Sequence, residues 1–330
     1  MLKILVIQPQ DVWHWNFDSS LIEAISNFGD IIFVGKADYL IDENIKHRIN
    51  LQKEFFEKGT KFNNRINNLR IVSNCKKIQN RIKPDVTVFL SYDTMSMLLW
   101  RSKAIICEHN NIFNTNTNFL KRYLYRLLSK KLVSISLQNH INSFIVDSCK
   151  RVSFVVHHPV KKIRGIVKNS VLKHVDKTTL FFTSVDTEGL DIISVKDFLM
   201  KNQQFFAYIK GNSDEKTRAY KIKIFFKNYY EIMDSCDFIV ILGGYDYRVS
   251  GVVYEALSLG KSVVLNQSLF SEELKSQYPD MVRIIRNINE INFIKVDKKK
   301  IQSNLRLFNK NTSNVSIVNS LKPIIDHVKS

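Results

Sequence analysis

The sequence predicts an α/β protein made of two doubly wound domains, each built on a parallel β-sheet. Short apolar, β-branched runs alternate with segments of helical periodicity from the first residues to about residue 265. Such alternation is typical of a parallel sheet covered by helices on both faces. A basic, weakly patterned stretch at 160–178 interrupts the alternation and has the character of an interdomain linker. We therefore expect an N-terminal domain at 1–160, a linker at 161–178 and a C-terminal domain at 179–330.

The N-terminal domain contains six short apolar runs that predict strands. These are Ile4–Ile7, Ile31–Val34, Val86–Leu90, Ala104–Cys107, Val133–Ser136 and Val152–Val156. Helices are predicted near 19–28, 119–131 and 138–148. The polar stretch 44–81, with scattered apolar positions, predicts one or two long helices.

The C-terminal domain repeats the pattern. Its predicted strands are Leu180–Thr183, Phe205–Ile209, Phe238–Leu242 and Ser262–Leu265. Helices are predicted near 190–201, 222–235 and 251–259, and the segment 297–329 is expected to be helical. Two such domains would face each other across a cleft, which is the usual place for a ligand.

The chain is strongly basic, with 49 Lys and Arg against 31 Asp and Glu, a net charge of +18. The excess is shared, because residues 1–150 carry 21 basic and 13 acidic residues and residues 151–330 carry 28 and 18. A positive surface favours anionic partners, such as nucleic acid, anionic lipid or phosphorylated small molecules. No nucleic-acid-binding motif is visible and the charge is spread over both halves, so nucleic acid is not an expected partner.

The four cysteines, at 75, 107, 149 and 236, are far apart and show neither zinc-site nor disulfide spacing. Reduced thiols in a cytoplasmic protein are the expected state. The N-terminal residues lack the features of a signal peptide. No apolar stretch approaches the roughly 18–20 residues that span a bilayer. We expect a cytoplasmic protein that contacts the inner face of the membrane at most peripherally.

The most informative segment is 236–264, with the sequence CDFIVILGGYDYRVSGVVYEALSLGKSVV. A predicted strand ends at Gly243 and Gly244, and a polar loop follows. A helix is predicted to begin at Gly251, after Ser250, a residue type that favours the N-cap position. The segment therefore places a helix N-terminus at the carboxyl end of a strand, where open α/β sheets bind ligands.

This arrangement has the chemistry of an anion site. The first turn of a helix offers unpaired N–H groups and the positive end of the helix dipole, and Gly251 lets a phosphate approach closely. Arg248 can give two hydrogen bonds to a diphosphate, and Lys210 can reach the same phosphates. Glu255, one turn into the helix, can accept hydrogen bonds from ribose hydroxyls. The alternative is a plain strand–loop–helix connection with solvated polar side chains, and chemistry alone does not decide between the two.

The run SGVVYEALSLGKSVV, at 250–264, resembles the donor-site signature of GT-B glycosyltransferases, and in particular family 4-like bacterial surface-glycan enzymes. In that signature a helix carrying Glu-Ala, followed by Gly-(Lys/Arg/Pro)-x-Val-Val, holds the nucleotide of a sugar nucleotide. Three further segments resemble the family in the same order along the chain: KPDV at 83–86, a strand ending in His-Asn at 105–110, and a strand ending in His-Pro at 155–159. The resemblance implies the GT-B fold, two Rossmann-like domains facing across a cleft, with the last helix packed on the N-terminal domain.

The chain departs from the family pattern at two places. Retaining members have a second Glu eight positions before the one matched by Glu255, and that position is Tyr247, beside Asp246. Many retaining members also have a Gly-Gly loop after the first strand, whereas the loop at 8–15 has no glycine. The donor sugar and the choice between retention and inversion therefore stay open.

His109 follows a predicted buried strand at its carboxyl end, and the family resemblance implies that it contacts the donor sugar or phosphate. Its alternative is a turn histidine. His14 and Asp11 follow the first strand, and either can act as a base toward the acceptor. A structural loop between packed tryptophans is an equally good interpretation of His14. No histidine cluster has metal spacing, and no aspartate-x-aspartate pair is present, so neither a metal nor a cofactor is expected beyond the sugar nucleotide.

The predicted helix at 119–131 is amphipathic. Apolar residues fill one half of its helical wheel, and four basic residues, Lys121, Arg122, Arg126 and Lys130, occupy most of the other. Two interpretations follow: the basic face rests on anionic lipid, or the apolar face packs on the sheet and leaves the basic face in solvent.

Together these observations predict an enzyme, a glycosyltransferase that moves a sugar from a nucleotide-sugar donor to a glycan or lipid-linked glycan in surface polysaccharide biosynthesis. The expected partners are the donor, the acceptor and an anionic membrane surface. A sugar-nucleotide epimerase on the same fold and a non-catalytic nucleotide- or anion-binding protein are the alternatives.

Overall fold

The structure is a computed structural model of the chain. It describes residues 1–10, 15–37, 45, 47–57, 60–109, 111–112, 118–161, 176–183, 191–243, 245–294 and 297–329. The chain divides into two compact units, which we call unit 1 and unit 2. Unit 1 comprises Met1–Lys161, Tyr247–Val249 and Asn311–Ser330, and unit 2 comprises Lys162–Asp246 and Ser250–Lys310. Most of the predicted linker, 162–175, lies outside the described residues.

Unit 1 is built on a seven-stranded sheet. Its strands are β1 (Leu2–Ile7), β2 (Gly29–Lys36), β3 (His47–Leu51), β4 (Val86–Phe89), β5 (Ala104–Glu108), β6 (Leu132–Ser136) and β7 (Ser153–Val155). They lie in the order β3-β2-β1-β4-β5-β6-β7, and every neighbouring pair is parallel. The chain changes direction across the sheet between β1 and β4. Such a switch point is where open α/β sheets bind ligands, at the carboxyl ends of the strands.

Unit 2 contains a second seven-stranded sheet. Its strands are β8 (Thr178–Phe182), β9 (Phe205–Lys210), β10 (Glu215–Lys216), β11 (Tyr220–Lys223), β12 (Phe238–Ile241), β13 (Ser262–Asn266) and β14 (Val282–Ile285). Their order is β10-β11-β9-β8-β12-β13-β14, and only the short β10 runs antiparallel to its neighbour. Two parallel α/β domains, as the alternation of strands and helices predicted, are therefore confirmed.

Helices connect the strands in both units. They are α1 (Trp15–Ser26), α2 (Lys61–Ile82), α3 (Thr94–Met97), α4 (Phe119–Leu127), α5 (Asn139–Cys149), α6 (Ile192–Lys201), α7 (Tyr229–Ser235), α8 (Gly251–Ser258), α9 (Leu269–Gln277), α10 (Lys298–Asn311) and α11 (Asn314–Lys329). No helix of the described ranges is long and apolar enough to cross a membrane.

The core of unit 1 lies on both faces of its sheet. Ile4 and Val6 of β1 pack with α1 and α11 on one face, and α11 buries Leu321 there. Leu5 and Ile7 belong to the core of the other face, with Ile71 of α2. A strand that is buried on both faces must be apolar throughout, which is why Ile4–Ile7 of β1 is a continuous apolar run in the sequence.

Two segments differ from the sequence-based prediction. In the stretch 44–81 the long α-helix begins at Lys61, after a short 3-10 helix at Lys53–Phe56, and His47–Leu51 forms the edge strand β3. An edge strand is solvated, so this strand carries polar residues and lacks the apolar run of a buried strand. The predicted helix at 222–235 begins only at Tyr229, since Tyr220–Lys223 forms β11. Its alternating buried and half-buried residues have the period of two that marks a strand.

Candidate functional site

The predicted donor segment begins where β12 ends. Gly243 is buried, and its N–H donates a hydrogen bond to the side-chain oxygen of Asn266 at 2.8 Å. Asn266 is the last residue of β13, so this bond ties the carboxyl ends of two neighbouring strands together. Gly244 lies outside the described residues. The hydrogen bond to Asn266 therefore fixes the start of the loop after β12, at the carboxyl edge of the sheet where open α/β sheets bind ligands.

Helix α8 begins where the sequence predicted. Ser250 occupies the N-cap position, but its side chain makes no capping hydrogen bond to the first turn. A Cβ built on Gly251 would meet no heavy atom within 4 Å, so the space beside this backbone is open. The positive end of the helix dipole thus faces a position that a ligand phosphate can approach.

Glu255 lies one turn into α8 and is half-buried. One of its carboxylate oxygens accepts a hydrogen bond from the Tyr230 hydroxyl of α7, at 3.2 Å. Burial, and then the charge of Glu255, raise the pKa of the neighbouring Tyr229 well above its usual 10. Tyr230 is not among the residues predicted from the sequence. Two consecutive tyrosines at the start of a helix were the available signal.

Lys210 and Arg248 are placed differently from each other. Lys210 is the exposed last residue of β9, at the same carboxyl edge from which Gly243 leaves β12. Arg248 precedes the N-cap of α8 by two residues and is half-buried with the short segment Tyr247–Val249, which belongs to unit 1. The ring of Tyr247, at the position of the first Glu in the donor-site signature that the segment resembles, lies 4.9 Å from the ring of Phe144.

In unit 1, His109 directly follows β5 and is half-buried. Its ring stands edge-on to Phe17 of α1, with 4.3 Å between the ring centroids. His158, which is buried, stands edge-on to the same phenylalanine at 5.0 Å. His109 and His158 thus pack against the same aromatic ring. Asp11 and His14 lie outside the described residues.

A buried polar chain crosses the switch point of unit 1. The Gln8 amide donates to the Asp18 carboxylate at 2.7 Å, and the Ser91 hydroxyl donates to the Gln8 side-chain oxygen. Gln8 follows β1, Ser91 follows β4 and Asp18 lies on α1. All three are buried. These bonds hold the carboxyl ends of β1 and β4 and the start of α1 in one arrangement. None of these three residues was predicted from the sequence as part of the site.

Beside His109, Glu108 is fully buried and accepts three hydrogen bonds. The donors are the hydroxyls of Tyr92 at 2.7 Å, Ser134 at 3.0 Å and Tyr125. Burial raises the pKa of Glu108, while these donors and the charge of Arg151 act in the opposite direction. This cluster binds β5 to β6 and α4 and so supports the strand end that carries His109.

Within the described ranges, no group of three or more His, Cys, Asp and Glu side chains is arranged to hold a metal ion. The four cysteines are buried and unbonded to one another.

No protein-family model matches the chain, and no curated protein matches its sequence. Solved structures do match. Anabaena Alr3699/HepE in complex with UDP and glucose superposes with a TM-score of 0.71 at 12% identity, over 99% of this chain and 100% of that one. A glycosyltransferase from Rickettsia africae gives a TM-score of 0.66 at 11% identity, over 99% and 98%. The chain has the GT-B fold.

The GT-B likeness extends to more distant structures. The glycosyltransferase SnogD from Streptomyces nogalater matches with a TM-score of 0.58 at 10% identity, over 99% of both chains. Likenesses at such identities establish the fold. They confirm the GT-B architecture that the segment at 250–264 implied, and they leave the roles of individual residues to experiment.

Proposed function

We propose that this protein is a glycosyltransferase that moves a sugar from a nucleotide-sugar donor to a glycan or lipid-linked glycan acceptor. The observation that carries the proposal is the open start of α8 at Ser250–Gly251, followed by Glu255, in a chain with the GT-B fold. HepE was solved with UDP and with UDP-glucose, which makes uridine nucleotides the first donors to test.

The donor would bind at the start of α8. The N–H groups at Gly251 would bind the diphosphate, and Arg248 and Lys210 would add positive charge. Glu255, oriented by Tyr230, would accept hydrogen bonds from the ribose hydroxyls. Gly243 and Gly244 would shape the loop that passes the sugar and phosphate.

Transfer breaks the bond between the sugar anomeric carbon and the diphosphate oxygen. An acceptor hydroxyl oxygen forms the new bond, and the electron pair of the broken bond stays on the diphosphate. The helix start and the cations would stabilise the negative charge that grows there, in place of a divalent metal ion. The acceptor proton would pass to Asp11 or His14 in an inverting reaction, whereas a retaining reaction needs no strong base of this kind. His109 would contact the donor sugar.

The acceptor is proposed to be part of a surface polysaccharide under construction on the cytoplasmic side of the membrane. The net charge of +18 supports an anionic membrane as a partner. The basic residues of α4, in unit 1, would contribute to this contact.

The test is a two-step assay. Thermal shift of the full chain is first measured with UDP-, GDP-, dTDP- and CMP-sugars, because a ligand that binds only the folded state raises the melting temperature. The stabilising donor is then incubated with and without glycan acceptors. A transferase releases nucleotide efficiently only with acceptor. Epimerised sugar, or binding without turnover, would contradict the proposal in favour of an epimerase or a binding protein.

A further inference from the structure

Helix α4 exposes a row of large apolar side chains. Phe119 is 77% exposed, Leu120 64%, Tyr123 51% and Leu127 45%. The rings of Phe119 and Tyr123 stack on each other, with their centroids 6.4 Å apart. We call these four residues the α4 ridge. Single exposed apolar residues are ordinary, but a contiguous apolar surface usually marks an interaction site.

The helix is rotated relative to the simplest interpretation of its sequence. The side packed into unit 1 is formed by Tyr125 and Leu128, which are buried. The apolar half of the wheel therefore does not rest on the sheet with a basic face in solvent, and that interpretation is wrong. Tyr125 is a core residue because its hydroxyl bonds the buried Glu108, and this bond fixes which face of α4 points outward.

Contacts at the C-terminal end of α4 keep the ridge exposed. The Arg151 guanidinium is buried and donates to the carbonyl oxygens of Tyr125 at 3.1 Å and Ser129 at 2.9 Å. It also lies 5.2 Å from the Tyr125 ring. These bonds satisfy the last turn of α4, where carbonyl groups lack helical partners. Hydrogen bonds from Arg151 thus fix the end of the helix that carries the ridge.

Helix α3 packs beside α4. Met95 on α3 and Leu99, two residues after it, are also exposed. Positive charge surrounds this surface. The segments 94–103 and 118–131 together contain seven basic residues and no acidic residue. Arg126 and Lys130 donate to backbone carbonyl oxygens of Ser148 and Lys150, each at 2.8 Å, which satisfies N–H groups without neutralising charge.

We propose that the α4 ridge inserts into the headgroup region of an anionic lipid bilayer, with the surrounding Lys and Arg side chains on the lipid phosphates. Apolar and aromatic side chains beside basic residues are the composition of helices that lie in the membrane interface. Long basic side chains reach the headgroups while their stems cover apolar surface. The ridge adds apolar insertion to the electrostatic contact of the proposed function.

Charge decides between a membrane and a second copy of the chain. Pairing two ridges would bring seven basic residues against seven more without acidic partners from these segments. Like charges brought together oppose association. An anionic bilayer supplies both an apolar interior for the ridge and negative charge for its rim.

The test measures sedimentation of the full chain with phosphatidylcholine vesicles that contain about 30% phosphatidylglycerol. The variant Phe119→Ser/Leu120→Ser/Leu127→Ser should bind at least about tenfold more weakly, because it loses apolar insertion. Arg122→Gln/Lys130→Gln should lose about fivefold per charge at low salt. At about 0.5 M salt the native chain should keep part of its binding, since screening weakens only the charge contribution.

The matched control is Phe293→Ser/Val315→Ser, which removes exposed apolar side chains that are not part of the α4 ridge and should bind like the native chain. Leu120→Ser alone serves if the triple variant folds poorly. Equal binding of native and ridge variants would overturn the proposal, and so would a native chain that ignores anionic vesicles at low salt. Self-association that Leu120→Ser abolishes, without vesicle binding, would assign the ridge to a second copy. Donor thermal shift, measured in the same variants, tests the proposed transferase separately.

Discussion

Tyr230 donates a hydrogen bond to Glu255 at 3.2 Å, so the carboxylate proposed to receive the ribose is already held by a neighbouring side chain. A hydrogen bond to a charged acceptor contributes more than one between neutral groups. Because this bond holds one carboxylate oxygen of Glu255, it also sets the direction of the other oxygen. Orientation by Tyr230 is therefore a separate contribution from ribose binding itself.

Glu255→Ala should weaken nucleotide binding by about 1–3 kcal/mol, because a charged acceptor is lost. Tyr230→Phe should weaken it less, and should have no further effect in the Glu255→Ala background, since its action passes through that carboxylate. Isothermal titration with the stabilising nucleotide measures both. The exposed Glu272 provides the control variant Glu272→Ala. Unchanged affinity in a folded Glu255→Ala protein would remove the core of the donor-site proposal.

His109→Ala should lower kcat by at least about tenfold, because the donor sugar loses a side chain that positions it for transfer. Affinity for UDP should stay the same, because UDP lacks the sugar that His109 is proposed to contact. Steady-state kinetics and titration separate these effects. His47→Ala, on the exposed edge strand β3, is the matched control. Full activity in His109→Ala would take this residue out of the site and leave the donor helix in place.

At the scale of an element, the glycines at the two ends of α8 have different roles. Gly251 has open space around it at the start of the helix. Gly260 follows the helix with a φ of +71°, in the left-handed region where other residues are strained.

Gly251→Ala should keep the folding stability, yet weaken donor binding by about 1 kcal/mol or more, because the new methyl group obstructs the phosphate. Gly260→Ala should do the reverse, lowering stability by about 1 kcal/mol with little effect on the donor. Denaturant unfolding and nucleotide titration of the two variants give the comparison. Equal donor affinity in Gly251→Ala and the native chain would show that no phosphate approaches this backbone.

The Glu108 cluster connects β5, β6 and α4, and it makes the stability of unit 1 depend on pH. Burial raises the pKa of Glu108 above the 4.5 of a free glutamate. The folded state therefore holds this proton to higher pH than the unfolded state does. Stability from this group is present below about pH 4.5 and falls as the pH rises toward the folded pKa.

The comparison with Glu108→Gln isolates that effect, since glutamine keeps the shape and cannot ionise. The free energy of unfolding of the native chain, minus that of the variant, should fall as the pH rises above about 4.5. Denaturant unfolding across a pH series measures the difference. A difference that rises with pH, or stays level, would contradict a raised pKa for Glu108.

At the scale of the whole molecule, the two units each have their own hydrophobic core. We propose that they bind donor and acceptor without a divalent metal ion. Glycosyl transfer should then survive EDTA treatment, because the helix start at Gly251, with Arg248 and Lys210, supplies the positive charge at the leaving diphosphate. Initial rates are compared with and without EDTA, and again after manganese or magnesium is added back. Activity that disappears with EDTA and returns with either metal would overturn this prediction.

Much of the architecture could be predicted from the local pattern of apolar residues in the sequence. The buried strands β1, β4, β5, β12 and β13 were found near their observed positions, because each must be apolar on both faces. The edge strand β3 and the strand β11 were assigned to helices, since solvated strands lack that run. The start of α8 was predictable because Ser250, Gly251 and Gly260 mark a helix boundary locally.

The sequence by itself determined two parallel α/β domains and the helix start proposed to bind phosphate. Strand burial and helix caps depend on the types of a few neighbouring residues, so they can be predicted locally. Only the tertiary structure decided that Tyr230 holds Glu255, that Gln8 joins Asp18 to Ser91, and that Tyr125 rather than the α4 ridge turns inward to Glu108. These contacts join residues between 10 and 83 positions apart along the chain. Strand register and helix rotation bring them together, and both are set by packing of the whole domain.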